Sequence, residues 1–233
     1  MNKNIQIMIT LQKQWDTVQE ARKKIERNNK TITFWEDEFL EFRSEMSNLQ
    51  NAIINSKKEI KVNELLLAEY DSKIKKLEER RNHLKSEKEI LAVGREIDQL
   101  KKERGAIEEK LIFLLDSLAE SEEKFKSMKM TEQEKEKQII HDVEKLKRDS
   151  SELEIAEKSA KGQFDNLLND IDFVHQSKFL KLINSKDNKA IGSVHGEICE
   201  HCNFKIPPFL AIDAGKDDRV VSCTNCGRFI YKI

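Results

Sequence analysis

Proline and glycine are scarce in this sequence. Its 233 residues include two prolines, Pro207 and Pro208, and seven glycines, and aromatic residues make up 6% of the chain. Charged side chains, by contrast, make up 36%. An ordinary globular domain of this length has more turn residues and a larger apolar core. The composition is therefore typical of long helices in which a narrow apolar seam replaces a deep core.

The sequence also lacks long hydrophobic runs and an excess of charge of either sign. No stretch approaches the roughly 18 apolar residues that a membrane-spanning helix requires. Residues 1–8 contain neither a continuous apolar segment nor the small-residue cleavage site of a signal peptide. The formal net charge is −1, so the chain as a whole is neither a polyanion-binding tail nor an acidic mimic. We expect a cytoplasmic protein with no membrane partner.

Motifs for catalysis are absent as well. The sequence has no glycine-rich phosphate-binding loop. His83, His141 and His175 fall in helical sequence, without a nucleophile or a carboxylate cluster that the sequence identifies. We expect no enzymatic activity, no catalytic residues and no small-molecule substrate.

Apolar residues recur every seven positions through most of the chain. The first series has ten successive members: Leu11, Val18, Ile25, Ile32, Phe39, Met46, Ile53, Ile60, Leu67 and Ile74. A second row follows three residues on, at Trp35, Phe42, Leu49, Tyr70, Leu77 and Leu84. The pattern resumes at Ile90 and continues to Val174, with polar residues at Arg104 and Glu132. Two apolar rows at this spacing form the seam of a coiled coil.

A helix start signal lies near the midpoint of this pattern. Ser86 and Glu89 form a capping box, in which the hydroxyl and the carboxylate satisfy backbone N–H groups at the start of a new helix. This position favours two antiparallel helices, joined near residues 82–86, over one long helix in a parallel dimer. We expect an antiparallel coiled-coil hairpin over residues 1–182.

The turn also predicts which residues face each other and what the end of the hairpin offers. Residues whose numbers sum to roughly 168 should lie within about a helical turn of each other, which places Phe39 and Phe42 near Phe125 and Met128.

Residues 73–88 carry seven basic and three acidic side chains. The solvated end of a charged coiled coil accounts for this excess, and a contact with an acidic partner or a nucleic acid backbone is the alternative.

All four cysteines lie near the C-terminus, in two C-x-x-C pairs with 20 residues between the pairs. Each pair places two thiolates on one side of a tight turn, or knuckle, and two facing knuckles complete the four-sulfur cage that Zn²⁺ prefers. A thioredoxin-like redox site needs one such pair, and two disulfides would suit a secreted protein. We expect one structural zinc ion bound by Cys199, Cys202, Cys223 and Cys226.

The region around the cysteines is predicted to be a small β domain. Residues 184–188 form a turn-rich linker, and the two prolines suit the first turn of a short helix at 209–214. Short strand-like pieces precede and follow this helix. The predicted fold is therefore mainly α, with the long antiparallel coiled-coil hairpin followed by a small C-terminal β zinc ribbon at residues 183–233.

The charge of the ribbon does not by itself indicate a nucleic-acid partner. From residue 190 onward, five basic residues balance five acidic ones. A local patch of Arg219, Arg228 and Lys232 remains, with Phe229 or Tyr231 as stacking surfaces for bases. His201, inside the first knuckle, could in principle bind zinc, but four cysteines already fill the coordination shell.

Three stretches carry a resemblance to a known family. They are Gly196-x-x-Cys199-x-x-Cys202, Ile206-Pro207-Pro208 and Cys223-x-x-Cys226-Gly227-Arg228-Phe229-Ile230-Tyr231. In these motifs, and at residues 88–97, the chain resembles the bacterial zinc-ribbon proteins that have four cysteine ligands and an N-terminal coiled-coil hairpin. The likeness covers nearly the whole chain. Asn225 stands where the family usually has a proline, and Ile230 where it usually has a leucine.

The resemblance implies a cytoplasmic, non-enzymatic protein. Family members are linked to flagellar or type III secretion systems and to the alternative sigma factor of the RpoN class, and RNA binding is also proposed for them. We expect a zinc-binding adaptor or chaperone-like regulator that binds protein partners, with these components as candidates. A regulator that binds RNA or DNA through the ribbon is the alternative. A factor that enters the secondary channel of RNA polymerase ranks third, because residues 82–86 lack acidic tip residues.

Overall fold

The computed structural model describes residues 2–185 and 187–232. The elements follow in the order α1 (Lys3–His83), α2 (Glu87–Leu168), α3 (Phe173–Ile183), β1 (Ile191–His195), β2 (Ile198–Cys199), α4 (Pro208–Asp213), β3 (Val221–Ser222) and β4 (Phe229–Lys232). The predicted fold class is confirmed, because α1 and α2 pack against each other and a small four-stranded sheet follows them. Lys186, in the predicted linker, lies outside the described residues.

The chain reverses direction where the sequence predicts it. α1 ends at His83 and α2 begins at Glu87, so the turn falls within residues 82–86. Basic residues occupy the last turn of α1 and acidic residues the first turn of α2, and both arrangements complement the helix dipoles. Among the described residues, no helix has an apolar stretch long enough to cross a membrane.

The second long helix ends earlier than the heptad pattern predicts. α2 stops at Leu168, and the last member of the apolar series, Val174, lies in α3 with 76% of its surface exposed. α3 instead buries Phe179 and Ile183. The break between the two helices lets α3 turn this apolar face into a core that also contains Leu11, the first member of the apolar series.

The chain divides into two compact units, one made of Met1–Thr33 with Asp142–Ile233 and the other of Phe34–His141. The division into regions 1–182 and 183–233 rests on the sequence and stays a prediction. In the first unit, α1, α2, α3, β1, β4 and adjoining segments share one apolar core of Ile5, Met8, Leu11, Phe164, Ile171, Phe179, Ile183, Ala190, Ile191 and Phe229. Full burial of a large apolar side chain contributes about 1.5–3 kcal/mol, so packing of this kind fixes the sheet to the helices.

A buried amide adds polar contacts to this packing. The Gln12 side chain is buried, and its Oε1 accepts a hydrogen bond from the backbone N–H of Ala190 at 2.8 Å. Its Nε2 donates to the backbone oxygen of Asn188 and to Asp16 Oδ1, each at 2.9 Å. Lys189 Nζ lies 2.6 Å from Asp16 Oδ2. These bonds hold residues 188–190, which lead into β1, in contact with α1.

The sheet has the strand order β2-β1-β4-β3. β1 and β4 lie at the centre and run parallel, with Ile191 opposite Phe229. The two edge strands pair antiparallel with them. Because β2 ends at Cys199 and β3 ends one residue before Cys223, the edge strands deliver the two knuckles.

The second unit consists of the hairpin around the turn. Ile74, Val93 and Ile97 are buried there. Arg104, a polar residue in the predicted seam, lies 2.6 Å from Asp71 of the facing helix, and such cross-helix pairs set the register of a coiled coil.

The pairing of aromatic residues predicted from the turn is wrong. Lys135 lies over the ring of Phe42, with Nζ 4.6 Å from the centroid, whereas Phe125 lines a cavity beside Ile53. A shift of seven or ten residues along α2 still brings a seam position to face α1. Apolar periodicity alone therefore does not choose among these registers.

Candidate metal centre

Two turns of the same backbone geometry carry the cysteines. The Asn203 N–H donates to the carbonyl oxygen of Cys199 at 2.8 Å, and the Gly227 N–H donates to that of Cys223 at 2.9 Å. Asn203 and Gly227 both have left-handed backbone angles, with φ of 56° and 75°. Glycine and asparagine adopt this conformation more readily than other residues. The C-x-x-C spacing did not identify Asn203, although its residue type four positions after Cys199 is a usable signal.

The turns bring the four cysteines together. Their sulfur atoms all lie within 4.8 Å of one another, and the Sγ atoms of Cys202 and Cys223 are 3.7 Å apart. Zinc bound to thiolates at about 2.3 Å in a tetrahedron gives sulfur–sulfur distances of about 3.8 Å. The donor set and its spacing therefore fit one metal ion, and all four thiols are free.

Two of the thiols are buried, and burial favours their neutral form. It raises the pKa of Cys199 to about 12 and also raises the pKa of Cys223. Backbone N–H groups of His201 and Cys202 point at the first sulfur and oppose this shift. A cation at the centre would stabilise the thiolates, since a metal ion drives deprotonation of the thiols that coordinate it.

Cys202 differs from these two. Burial raises the pKa of its thiol, but hydrogen bonds with the Asn225 side chain, the Phe204 backbone, Cys226 and Cys199 together outweigh burial and bring the value to about 6. Asn225 thus joins the second knuckle to a sulfur atom of the first. The family that the chain resembles usually has a proline at this position, and the sequence alone did not indicate a role for the asparagine.

An acidic residue from the linker organises the surroundings of the first knuckle. Asp187 Oδ2 lies 2.9 Å from His201 Nε2 and forms an ion pair with Arg228. Burial raises the pKa of Asp187, but hydrogen bonds from Arg228, Ser185 and His201 hold it at about 2. The contact between His201 and Asp187 keeps this ring nitrogen engaged away from the sulfur cluster.

The predicted basic patch is not assembled as a free surface. Arg228 is buried, and its Nε donates to the backbone oxygen of Lys189 at 2.9 Å. Arg219 Nη1 lies 3.0 Å from Asp213. Phe229, proposed as a stacking surface, is buried in the core of the first unit.

Comparisons with known proteins identify similar folds. No family model matches the chain, and no curated protein matches it. Three of the solved structures that match are similar over nearly their whole length. The CT398 protein of Chlamydia trachomatis has a TM-score of 0.83 at 22% identity, covering 99% of this chain and 98% of its own.

The other two structures are more distant. The HP0958 protein of Helicobacter pylori has a TM-score of 0.67 at 16% identity, again covering 99% of this chain and 98% of its own. A protein of Mycobacterium smegmatis has a TM-score of 0.57 at 18% identity, with both chains fully covered. At these identities the likeness extends to the fold alone: a long helical hairpin joined to a small sheet.

Proposed function

We propose that this chain is a non-enzymatic adaptor or chaperone-like regulator that binds a protein partner and holds one structural zinc ion. The observation that carries the proposal is the closed set of four converging thiols. Cys199, Cys202, Cys223 and Cys226 supply all four ligands of a tetrahedral site. A catalytic zinc site keeps a position open for water or substrate, so this donor set suits a structural ion.

Exposed apolar side chains support the protein-binding part of the proposal. Large apolar residues lie exposed in neighbouring groups along the long helices, such as Val62 with Leu65 and Ile112 with Phe113. Single exposed apolar residues are ordinary, but contiguous ones are typical of interaction surfaces. From the sequence resemblance, an RpoN-class sigma factor and flagellar or type III secretion components are the partner classes to test first. Free thiols suit a reducing cytoplasm.

The alternative, a nucleic-acid-binding regulator that acts through the ribbon, has less support. Arg219 and Arg228 are both engaged by carboxylates, and a nucleic-acid surface needs cations free to meet phosphates.

Two measurements on full-length protein test the proposed function. Elemental analysis should find about one zinc ion per chain and much less in a Cys223→Ser variant, because three thiols hold the ion poorly. Affinity capture should retain a protein partner equally before and after nuclease treatment. Capture that nuclease abolishes would refute the adaptor role and favour the alternative.

A further inference from the structure

The aromatic part of the α1 seam faces a mixture of polar and apolar side chains of α2. Trp35, Phe39 and Phe42 occupy successive seam positions yet are only half-buried, unlike Met46 further along the same seam. Lys135 and Gln138 of α2 lie beside them. Ile139 of α2 lies there as well, yet the three rings remain partly exposed at positions that a coiled coil normally buries.

A cavity of about 260 Å³ opens at this place, lined by Trp35, Glu38, Phe39, Phe42, Lys135, Gln138 and Ile139. Pockets for drug-sized ligands are larger, roughly 300–1,000 Å³. A cavity of this size and apolar character suits one or two anchoring side chains of a bound protein segment.

One flank of the cavity is acidic. Phe34, Glu38, Glu41 and Glu45 follow the spacing i, i+4, i+7 and i+11, which places them on one face of α1. We call these four residues the acidic face. All four are exposed, and Phe34 has 62% of its surface accessible.

The charges of the acidic face are not neutralised within the hairpin. No ion pair joins Glu38, Glu41 or Glu45 to another residue of the described chain. Carboxylates three and four residues apart on a helix repel one another. A nearby cation, Arg43, is held by Glu132 and Glu136 of α2, at 3.0 and 2.8 Å.

We propose that the acidic face and the adjoining aromatic cavity dock a basic amphipathic helix of a partner protein. Apolar side chains of that helix enter the cavity, while its lysines or arginines pair with the three glutamates. This inference rests on the proposed adaptor function and names the chemistry of the partner segment. The Lys135 ammonium group over the Phe42 ring, 4.6 Å from its centroid, shows that the aromatic surface accepts a cation.

Charge complementarity selects this occupant. Nucleic acid phosphates and anionic lipid headgroups are repelled by an acidic face. A second copy of this chain also offers basic residues near its turn, with Ile90 and Leu91 exposed beside them. Dimerisation through this surface is therefore the outcome that the tests below set against the proposal.

The direct test measures the binding of a labelled synthetic helix to full-length protein by fluorescence anisotropy. The probe carries leucines on one face and lysines on the other. One control peptide has glutamates in place of the lysines, and a second has serines in place of the leucines. We expect the probe to bind and both controls to bind at least about tenfold more weakly, since charge and apolar anchoring both contribute.

Variants then locate the site. A triple variant with Glu38→Gln, Glu41→Gln and Glu45→Gln should lose about tenfold in affinity for the probe. The matched control changes three other exposed carboxylates of the same unit: Asp116→Asn, Glu120→Gln and Glu123→Gln. It should bind like the unmodified protein.

Apolar and charge-reversal variants complete the design. Phe34→Ala should weaken binding of the probe, whereas Phe173→Ala, which removes an exposed phenylalanine of α3 in the first unit, should not. Changing all three glutamates of the acidic face to lysine should restore binding to the glutamate peptide. Circular dichroism checks that each variant stays helical, and these exposed substitutions should leave the fold intact.

Several results would overturn the inference. They are the absence of probe binding, equal binding of the serine control, and equal loss in both triple variants. Concentration-dependent dimers that disappear with Phe34→Ala would also overturn it, in favour of a second copy as occupant. If a nuclease-resistant partner is still captured by the triple glutamine variant, the adaptor function stands and the docking face is wrong.

Discussion

Replacing Cys223 by serine should unfold the ribbon while leaving the long helices in place. Cys223 is buried and belongs to the apolar cluster of the ribbon, with Val194, Cys199, Ile206 and Ile230 among its members. The variant loses one of the four proposed zinc ligands and places a hydroxyl where a thiolate is needed. Structural zinc contributes about 10–16 kcal/mol of apparent binding free energy at neutral pH in comparable sites. That is as much as the whole stability of a typical domain, about 5–15 kcal/mol.

The lengths of the helices set the size of the expected signal. The helix within the ribbon, α4, has 6 residues and the neighbouring α3 has 11, whereas α1 and α2 have 81 and 82. Loss of α4 alone would reduce the far-ultraviolet ellipticity by about 3%, and loss of both short helices by about a tenth, because that signal scales with the number of helical residues. Zinc should fall well below one ion per chain.

The assay combines circular dichroism, elemental analysis and limited proteolysis. A Thr224→Ser variant is the matched control, because Thr224 is exposed in the same knuckle. We expect new protease sites near the cysteines in Cys223→Ser but not in the control. Loss of most of the helical signal would show that the long helices depend on the metal site, and full retention of zinc would refute the assignment of Cys223 as a ligand.

Three further predictions concern single contacts. Asn225→Ala should weaken zinc binding, because it removes a hydrogen bond that lowers the pKa of Cys202 and so stabilises the thiolate; titration with a competing chelator checks this, and an unchanged zinc affinity contradicts it. Gln12→Ala should lower the free energy of unfolding of the first unit in urea by about 1–3 kcal/mol, because the buried Ala190 N–H loses its hydrogen-bond acceptor. The control is Lys13→Ala at an exposed position, and an effect of Gln12→Ala no larger than that of the control would contradict the prediction. Asp187→Asn should remove a modest contribution of the Asp187 carboxylate to the stability of the folded protein. That contribution is complete above about pH 3.9, the pKa of an aspartate in the unfolded chain, and is lost as the pH falls toward 2, the pKa of Asp187 in the folded protein. The difference in urea midpoint between variant and unmodified protein should therefore shrink below about pH 4, and a difference independent of pH would contradict it.

The helical hairpin was predictable because its signals are local. An apolar residue at every seventh position needs a helix to bring those residues to one side, and Ser86 and Glu89 lie where α2 begins. The register was not predictable, because heptad spacing repeats and leaves several alignments with apolar seams. The end of α2 was also missed, because Val174 continues the period although α3 packs through Phe179.

In the candidate metal centre, the positions of the cysteines were predictable because the spacing within each C-x-x-C pair determines the local geometry. The two C-x-x-C pairs specify two knuckles, and the four sulfur atoms do converge. The contacts of Asp187 with His201 and Arg228 join residues far apart in sequence, so no local pattern reveals them. The parallel pairing of β1 with β4 depends in the same way on the whole ribbon having folded.

The two central strands connect the cysteine cluster to the helices. Ile191 and Phe229 belong to the helical core, whereas Val194 and Ile230 of the same strands belong to the cluster around the cysteines. Successive side chains of a strand point to opposite faces of the sheet. In β1 and β4, some side chains are therefore anchored by packing against the helices and others by packing around the knuckles. Loss of a metal ion bound by the four cysteines would remove the second anchor and not the first. The part of the sheet nearest α1 should therefore outlast the knuckles, which is why separate unfolding of the ribbon need not spread into the long helices.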